Sequence, residues 1–384
     1  MAAAPPADLI DDVTAEILLR LPPDEPEHLF RAALVCKPWL RVLCDPAFRR
    51  RYRAFHGAPP LLGLLHRLQV LQGDPELGLV PATAAPLSPC PYYRRPLDCR
   101  HGRVLLHADN SDWHFVVWDP VTGGQQRVPE PKGIPWLIYT GAVLCAAAGC
   151  SHLDCHGGPF RIVFVATHDY TSTVMASVYS SESGAWSALA SLDGGCEVYA
   201  QHIRDAVANI PYPYTPYVQP MRCTLIGDEI YCIIRWRNAI VKYNWASNCL
   251  SMINPPSHNA FDIALMVMED STLGFACTEG PCLYIWSRKV NSEGAAEWLR
   301  CKAIELETII PVPNSWDQSF VAGYAEGVDV IFISSDVGLF TIELNSGKVR
   351  KLAEPGEYFS VLPYMSFYNP DGGRLSSLAK LTDV

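Results

Sequence analysis

The chain has 384 residues, 49% hydrophobic and 18% charged, with a formal net charge of −10, a composition that excludes an intrinsically disordered chain. The first 56 residues hold eight acidic and eight basic side chains of the 40 and 30 in the whole, so the entire excess lies beyond them, and an acidic body weighs against a nucleic-acid groove, whose affinity comes from Lys and Arg. The longest near-continuous apolar run, Ala142 to Cys150, is far short of the roughly 20 residues of a membrane-spanning helix, so neither nucleic acid nor membrane is an expected partner.

The opening Met1-Ala-Ala-Ala-Pro-Pro lacks a basic n-region and an apolar h-region, and Asp8, Asp11 and Asp12 follow directly. The 14 cysteines are scattered from Cys36 to Cys301, and Asn-x-Ser/Thr does not occur. Reduced thiols in the cytoplasm or nucleus are the expectation.

Residues 8–56 read as a small helical module. Asp11 or Asp12 can cap a first helix with Val13, Ile17, Leu18 and Leu21 apolar, stopped by Pro22-Pro23. Asp24-Glu25-Pro26-Glu27 resembles a capping box, after which Leu29, Ala32, Ala33 and Cys36 fall at i, i+3, i+4 and i+7. Pro38 ends that helix or kinks it into the next, which carries Trp39, Leu40, Val42 and Leu43. Asp45-Pro46 opens a last helix expected to place Phe48, Tyr52 and Phe55 on one face. Arg49-Arg50-Arg51-Tyr52-Arg53 reads as a solvated helix face. So few short helices bury little core alone and complete it against a neighbour.

Residues 57–60, Gly-Ala-Pro-Pro, form a hinge, and from Leu61 to Val384 the grammar is that of an all-β domain. Residues 73–98 hold six prolines and read as an irregular connection. A phrase then recurs: a strand ending in an aromatic, a polar turn, a second strand. It runs from Phe115 to Val128, Ser177 to Trp186, Ile240 to Ile253, Tyr284 to Trp298 and Phe340 to Leu352. A spacing of about 45 to 65 residues suits β-propeller blades, and about six blades are expected, with a β-sandwich pair or an irregular β domain as the alternative. In Cys223 to Ile234, Gly227-Asp228 marks an additional hairpin.

Phosphate-loop, dinucleotide, nucleophile-elbow, zincin and C-x-x-C phrases do not occur. Cys150-Ser-His152-Leu-Asp154-Cys155-His156, with Cys145 upstream, gathers metal-ligating types at a loose spacing. It reads as a loop between blades, so no metal and no cofactor are expected. Pro211 to Tyr217 is an extended loop presenting Tyr212, Tyr214 and Tyr217, and Trp136, Tyr139 and Trp316 are assigned to comparable connections. Rigid amphipathic rings on loops suit protein recognition.

The phrases from Leu9-Ile10 to Leu21-Pro22 and from Leu34-Val35-Cys36 to Trp39, closed by Asp45-Pro46-Ala47-Phe48, resemble the F-box. The family usually has Leu-Pro where this chain has Leu9-Ile10. The resemblance implies docking on a Skp-type adaptor, and through it a cullin, by Leu9, Ile10, Ile17, Leu21, Pro22, Leu34, Val35, Cys36 and Trp39. The remainder is similar in plan to plant F-box-associated β domains, with Phe359 to Phe367 suited to closing the ring. The fold expected is α+β by segment, a helical F-box followed by a propeller. The function expected is a non-catalytic substrate-recognition subunit of a ubiquitin ligase that binds a target protein through Tyr212, Tyr214, Tyr217, Trp136 and Trp316. The alternative is a propeller that binds or hydrolyses a small ligand, with the F-box used outside ubiquitination.

Overall fold

Four helices open the described chain: α1 (Asp11–Leu19), α2 (Pro26–Val35), α3 (Lys37–Cys44) and α4 (Pro46–His56). This computed structural model describes residues 11–69, 79–108, 112–132, 136–153, 155–168, 171–193, 195–209, 216–235, 239–253, 263–290, 296–310 and 319–368. Helix α1 ends at Leu19, short of the expected Leu21. The amides of Arg20 and Leu21 turn back to the Ile17 and Leu18 carbonyls at 3.1 and 3.2 Å, because the residue before a proline is pushed out of the helical region. The capping box at Glu25 does not form. Glu25 caps α2 with no side-chain bond, and its carboxylate pairs instead with His28 Nε2 at 2.7 Å. Cys36 is extended between α2 and α3, since Pro38 has no N–H to continue the α2 ladder. Asp45 accepts hydrogen bonds from the amides of Ala47 and Phe48 at 3.2 and 3.4 Å and so starts α4.

Leu18, Leu29, Ala32, Ala33, Leu43, Phe48 and Tyr52 form the helical core, and Phe367, close to the end of the described chain, completes it. Its ring meets Tyr52 edge-on at 6.0 Å. Tyr52 also donates to the Leu21 carbonyl at 2.8 Å, which ties α4 to the chain leaving α1. Phe55 does not share the buried face with Phe48 and Tyr52; it is exposed, against the edge of His56.

Six antiparallel sheets follow among the described residues. Blade 1 comprises Arg95–Arg100, Arg103–Ala108, His114–Trp118 and Gln125–Pro129. Blade 2 comprises Trp136–Cys145, Phe160–His168, Val174–Ser180 and Ala185–Trp186, with Ala190–Leu192 also pairing to its third strand. Blade 3 runs through Thr224–Ile226, Glu229–Ile234, Ala239–Asn244 and Cys249–Ile253. Blade 4 runs through Ala264–Val267, Leu273–Glu279, Cys282–Val290 and Ala296–Glu305, and blade 5 through Phe320–Ala325, Val330–Ser335, Gly338–Glu343 and Val349–Ala353. Blade 6 is built from both ends of the domain: Glu357–Met365 pairs antiparallel with Leu61–Gln69, which pairs with Val80–Pro81.

Each sheet buries side chains against the next, and six apolar cores alternate with the six sheets around the ring. This is a six-bladed β-propeller, closed by pairing its first and last strands. Among the described residues, helix α5 (Glu197–Asn209) departs from the all-β expectation: it follows blade 2 and packs Tyr199 into the core between blades 2 and 3.

Candidate functional site

Helices α1 and α2 each bury one face and leave apolar side chains on another. On α1, Thr14 and Leu18 face inward while Val13 and Ile17 are each 43% exposed. On α2, Leu29, Ala32 and Ala33 face inward while Leu34 and Val35 are 55% and 63% exposed. Cys36, just beyond them, is exposed as well. Leu21 and Trp39 are partly buried against the helical core, and Pro22 is partly buried. The sequence-derived adaptor set therefore divides. Ile17, Leu34, Val35 and Cys36 present themselves to solvent, Trp39 and Leu21 support the module, and Leu9 and Ile10 lie outside the described residues. Val13, Ile17, Leu34 and Val35 are thus large apolar groups that stand outside the helical core and are exposed among the described residues.

The aromatic set expected to face a target is also divided. Tyr212, Tyr214 and Trp316 lie outside the described residues. Tyr217 is half-buried, with the Arg235 guanidinium over its ring at 5.9 Å. Trp136 and Tyr139 are not in a connection but in the first strand of blade 2, where Trp136 pairs in register with His168. Tyr139 is buried and bonded through its hydroxyl to His107. Alternation along an inner strand turned Tyr139 toward blade 1, a placement that the surrounding turn residues concealed.

The axis of the propeller carries a network that sequence reasoning missed. Asp98 and Arg100 are buried on the innermost strand of blade 1, and Arg222 and Glu326 reach them from the inner edges of blades 3 and 5. Arg100 donates to Asp98 Oδ2 at 2.9 Å, to Glu326 Oε1 at 2.9 Å and to the Cys223 carbonyl at 2.9 Å. Arg222 donates to Asp98 Oδ1 at 3.1 Å, Glu326 Oε2 at 3.3 Å and the Cys99 and Tyr324 carbonyls. Asp98 also accepts the Val143 amide of blade 2 at 3.0 Å. Two guanidiniums and two carboxylates thus tie four blades together. Burial acts against the Glu326 charge, but Arg100 and Arg222 outweigh it and hold the carboxyl at about 2. A cavity bounded by Met221, Arg222, Ala264, Gly323, Tyr324 and Val361 has a volume of about 20 Å³, room for one water.

A second cluster lies where blade 2 meets the helices. Cys145 ends the first strand of blade 2, and the connection to Phe160 carries Cys150, His152, Leu153 and Cys155. The Sγ atoms of the three cysteines and a ring nitrogen of His152 lie within 4.8 Å of one another. His156 is not part of the group: it bonds Asp119 Oδ2 at 2.8 Å and Ser366 Oγ at 3.2 Å. Asp154 lies outside the described residues. Leu153, partly buried, packs against the helical core.

Residues 7–51 match the F-box domain, and residues 96–371, well over half of the chain, match the family described as F-box protein AT5G49610-like, beta-propeller. The F-box protein At5g03970 of Arabidopsis thaliana is 20% identical over 400 residues, spanning 92% of this chain and 87% of that protein. A solved structure from Lactobacillus plantarum aligns with a TM-score of 0.41 at 11% identity, over 77% of this chain and 82% of its own. A virginiamycin B lyase from Staphylococcus aureus aligns with a TM-score of 0.31 at 10% identity, over 76% and 88%. Neither structure transfers an activity to this chain. Among the described residues, no helix is long and apolar enough to cross a membrane.

Proposed function

The chain belongs to the AT5G49610-like family of F-box proteins with a β-propeller, and from that membership we propose that it is the substrate-recognition subunit of a cullin-type ubiquitin ligase. In this reading the helical module docks on a Skp-type adaptor, and the propeller holds a target protein near a ubiquitin-loaded conjugating enzyme. The chain accelerates transfer by proximity, raising the local concentration of the target rather than performing chemistry itself. The exposure of Leu34 and Val35 at the end of α2 is the observation that carries the reading. Both are large apolar groups at positions the F-box resemblance assigns to the adaptor, and neither is needed for the helical core.

The centre of the propeller supports a non-catalytic role. Asp98, Arg100, Arg222 and Glu326 neutralise one another there, and the cavity beside them holds no more than a water. In the groove between blades 4 and 5, the charged pair Asp270 and Lys289 is likewise engaged with itself at 3.0 Å. Target binding is assigned to the loops joining the blades, where insertions are structurally cheap. Tyr212, Tyr214, Tyr217, Trp136 and Trp316 are retained as candidates, Trp136 now from a strand. An acidic body favours a target segment that is neutral or basic. The working compartment is the cytoplasm or nucleus, where the adaptor and cullin act.

The test is binding of the full chain to a Skp-type adaptor by titration calorimetry, comparing the parent with Leu34→Asp/Val35→Asp. Losing two central apolar contacts costs about 2 kcal/mol or more, a weakening of roughly thirtyfold or greater. Because both side chains are solvent-facing, the melting temperature should fall by no more than about 3 °C, the cost of two carboxylates at the C-terminal end of α2. Unchanged affinity in the double variant overturns the adaptor assignment.

A further inference from the structure

We propose that Cys145, Cys150, His152 and Cys155 form a structural zinc site that staples the connection between the first two strands of blade 2 and seats the helical module on the propeller. The site stands independently of the ligase reading. Its four ligand atoms lie within 4.8 Å of one another. Cys150 Sγ and Cys155 Sγ are 3.4 Å apart, and Cys155 Sγ and His152 Nδ1 are 3.6 Å apart. A tetrahedral zinc with Zn–S of about 2.3 Å and Zn–N of about 2.0 Å requires edges of roughly 3.8 Å between sulfurs and 3.6 Å between sulfur and nitrogen. The observed separations are close to those edges. They are far from the roughly 2.05 Å of a disulfide, and all 14 cysteines are free thiols.

The donor set selects the metal. Three thiolates and one imidazole form a closed, soft, four-coordinate set with no open position, which suits zinc in a structural rather than catalytic role and disfavours magnesium or calcium. The surroundings supply the supports that such a site needs. The His152 amide donates to Cys150 Sγ at 3.4 Å, a hydrogen bond that steadies thiolate charge. The His101 ring stacks on His152 at 4.1 Å with 12° between planes. His101 Nδ1 accepts the Cys145 amide at 3.1 Å, so one residue orients two of the ligands. Arg103 is buried, and its Nη1 has no hydrogen-bond acceptor. Three thiolates around a divalent ion leave a net negative charge for that cation to balance.

The consequence follows from Leu153. It lies between two ligands and packs, partly buried, against the helical core. Fixing the ligands fixes Leu153, and with it the contact between helices and propeller.

The test uses the full chain purified under reducing conditions without chelator. Elemental analysis is expected to find about one zinc per chain. Cobalt added to the stripped chain should give a thiolate-to-metal charge-transfer band and the visible bands of tetrahedral cobalt. Cys150→Ser/Cys155→Ser should lose both signals, whereas Cys249→Ser/Cys301→Ser, altered at exposed thiols elsewhere, should keep them. His101→Ala, a positioning change, should weaken metal binding roughly tenfold to a hundredfold. If the ligand variants fail to fold, the cobalt spectrum of the parent chain decides alone. Absence of zinc together with a cobalt spectrum lacking thiolate bands overturns the proposal. A Cys150–Cys155 disulfide that persists through purification under reducing conditions, or zinc retained by a folded Cys150→Ser/Cys155→Ser chain, also overturns it.

Discussion

Replacing Glu326 with glutamine removes one charge from the axial network while keeping the shape of the side chain. Glu326 accepts from Arg100 Nε and Nη2 at 3.2 and 2.9 Å and from Arg222 Nη2 at 3.3 Å. In Glu326→Gln, Asp98 alone faces two guanidiniums whose side chains are 2% and 13% exposed. Breaking a buried pair costs about 3 to 5 kcal/mol, and the low end applies because the Glu326 side chain is 24% exposed and water can reach it. With an unfolding entropy of about 2.1 cal/mol/K per residue over roughly 300 residues, a loss of about 3 kcal/mol lowers the melting temperature by about 5 °C at neutral pH. The effect has a pH signature. The folded carboxyl is held at about 2, below its ordinary value of 4.5. Its stabilisation is therefore complete above about pH 4.5 and fades as the pH falls towards 2. Calorimetric melting of parent and variant from pH 7 to pH 3 should show a gap that narrows on acidification. Glu354→Gln, which removes a carboxylate 85% exposed to solvent, should shift melting by no more than about 1 °C. A gap absent at pH 7, or one that stays constant to pH 3, refutes the account of the network.

Two further substitutions test the elements that position the sites. A Cβ on Gly323 would stand 2.5 Å from the Val361 carbonyl oxygen, backbone on the adjoining inner strand of blade 6. Gly323→Ala should therefore destabilise the ring by about 1 to 3 kcal/mol, read as lower denaturant resistance. Asp45→Ala should remove the cap of α4 at a cost of about 1 kcal/mol, with Asp45→Asn retaining most of it, and the first-turn amides of α4 should exchange hydrogen faster.

The helical module was largely legible because its signals are local. Asp45 two residues before Ala47 is a cap by chain geometry, and Pro38 breaks α2 because it lacks an N–H. The blade phrase was legible for the same reason, and its five occurrences are the outer hairpins of blades 1 to 5. Helix α5 was overlooked although Tyr199 and Ile203 stand four apart and Glu197 faces Arg204, a pattern of helical period inside a stretch read for period two. The capping box failed because α2 starts at Pro26 with Glu25 as its N-cap, which puts His28 rather than an acid at the third helical position. Phe55 followed the right period but is left exposed by the described residues, with only the edge of His56 against it there.

What the amino-acid sequence determined by itself was the order of the two parts, the class of each and the strand pairs within a blade, since these rest on contacts a few residues apart. The ring, its closure by Leu61–Gln69 on Glu357–Met365, the charge network of Asp98, Arg100, Arg222 and Glu326, and the seating of Phe367 among the helices were decided only by tertiary structure. Charged residues in an inner strand look the same in sequence whether they face solvent or one another. Partners more than 100 positions apart, such as Asp98 with Arg222 and Arg100 with Glu326, meet only when six twisted sheets close around one axis.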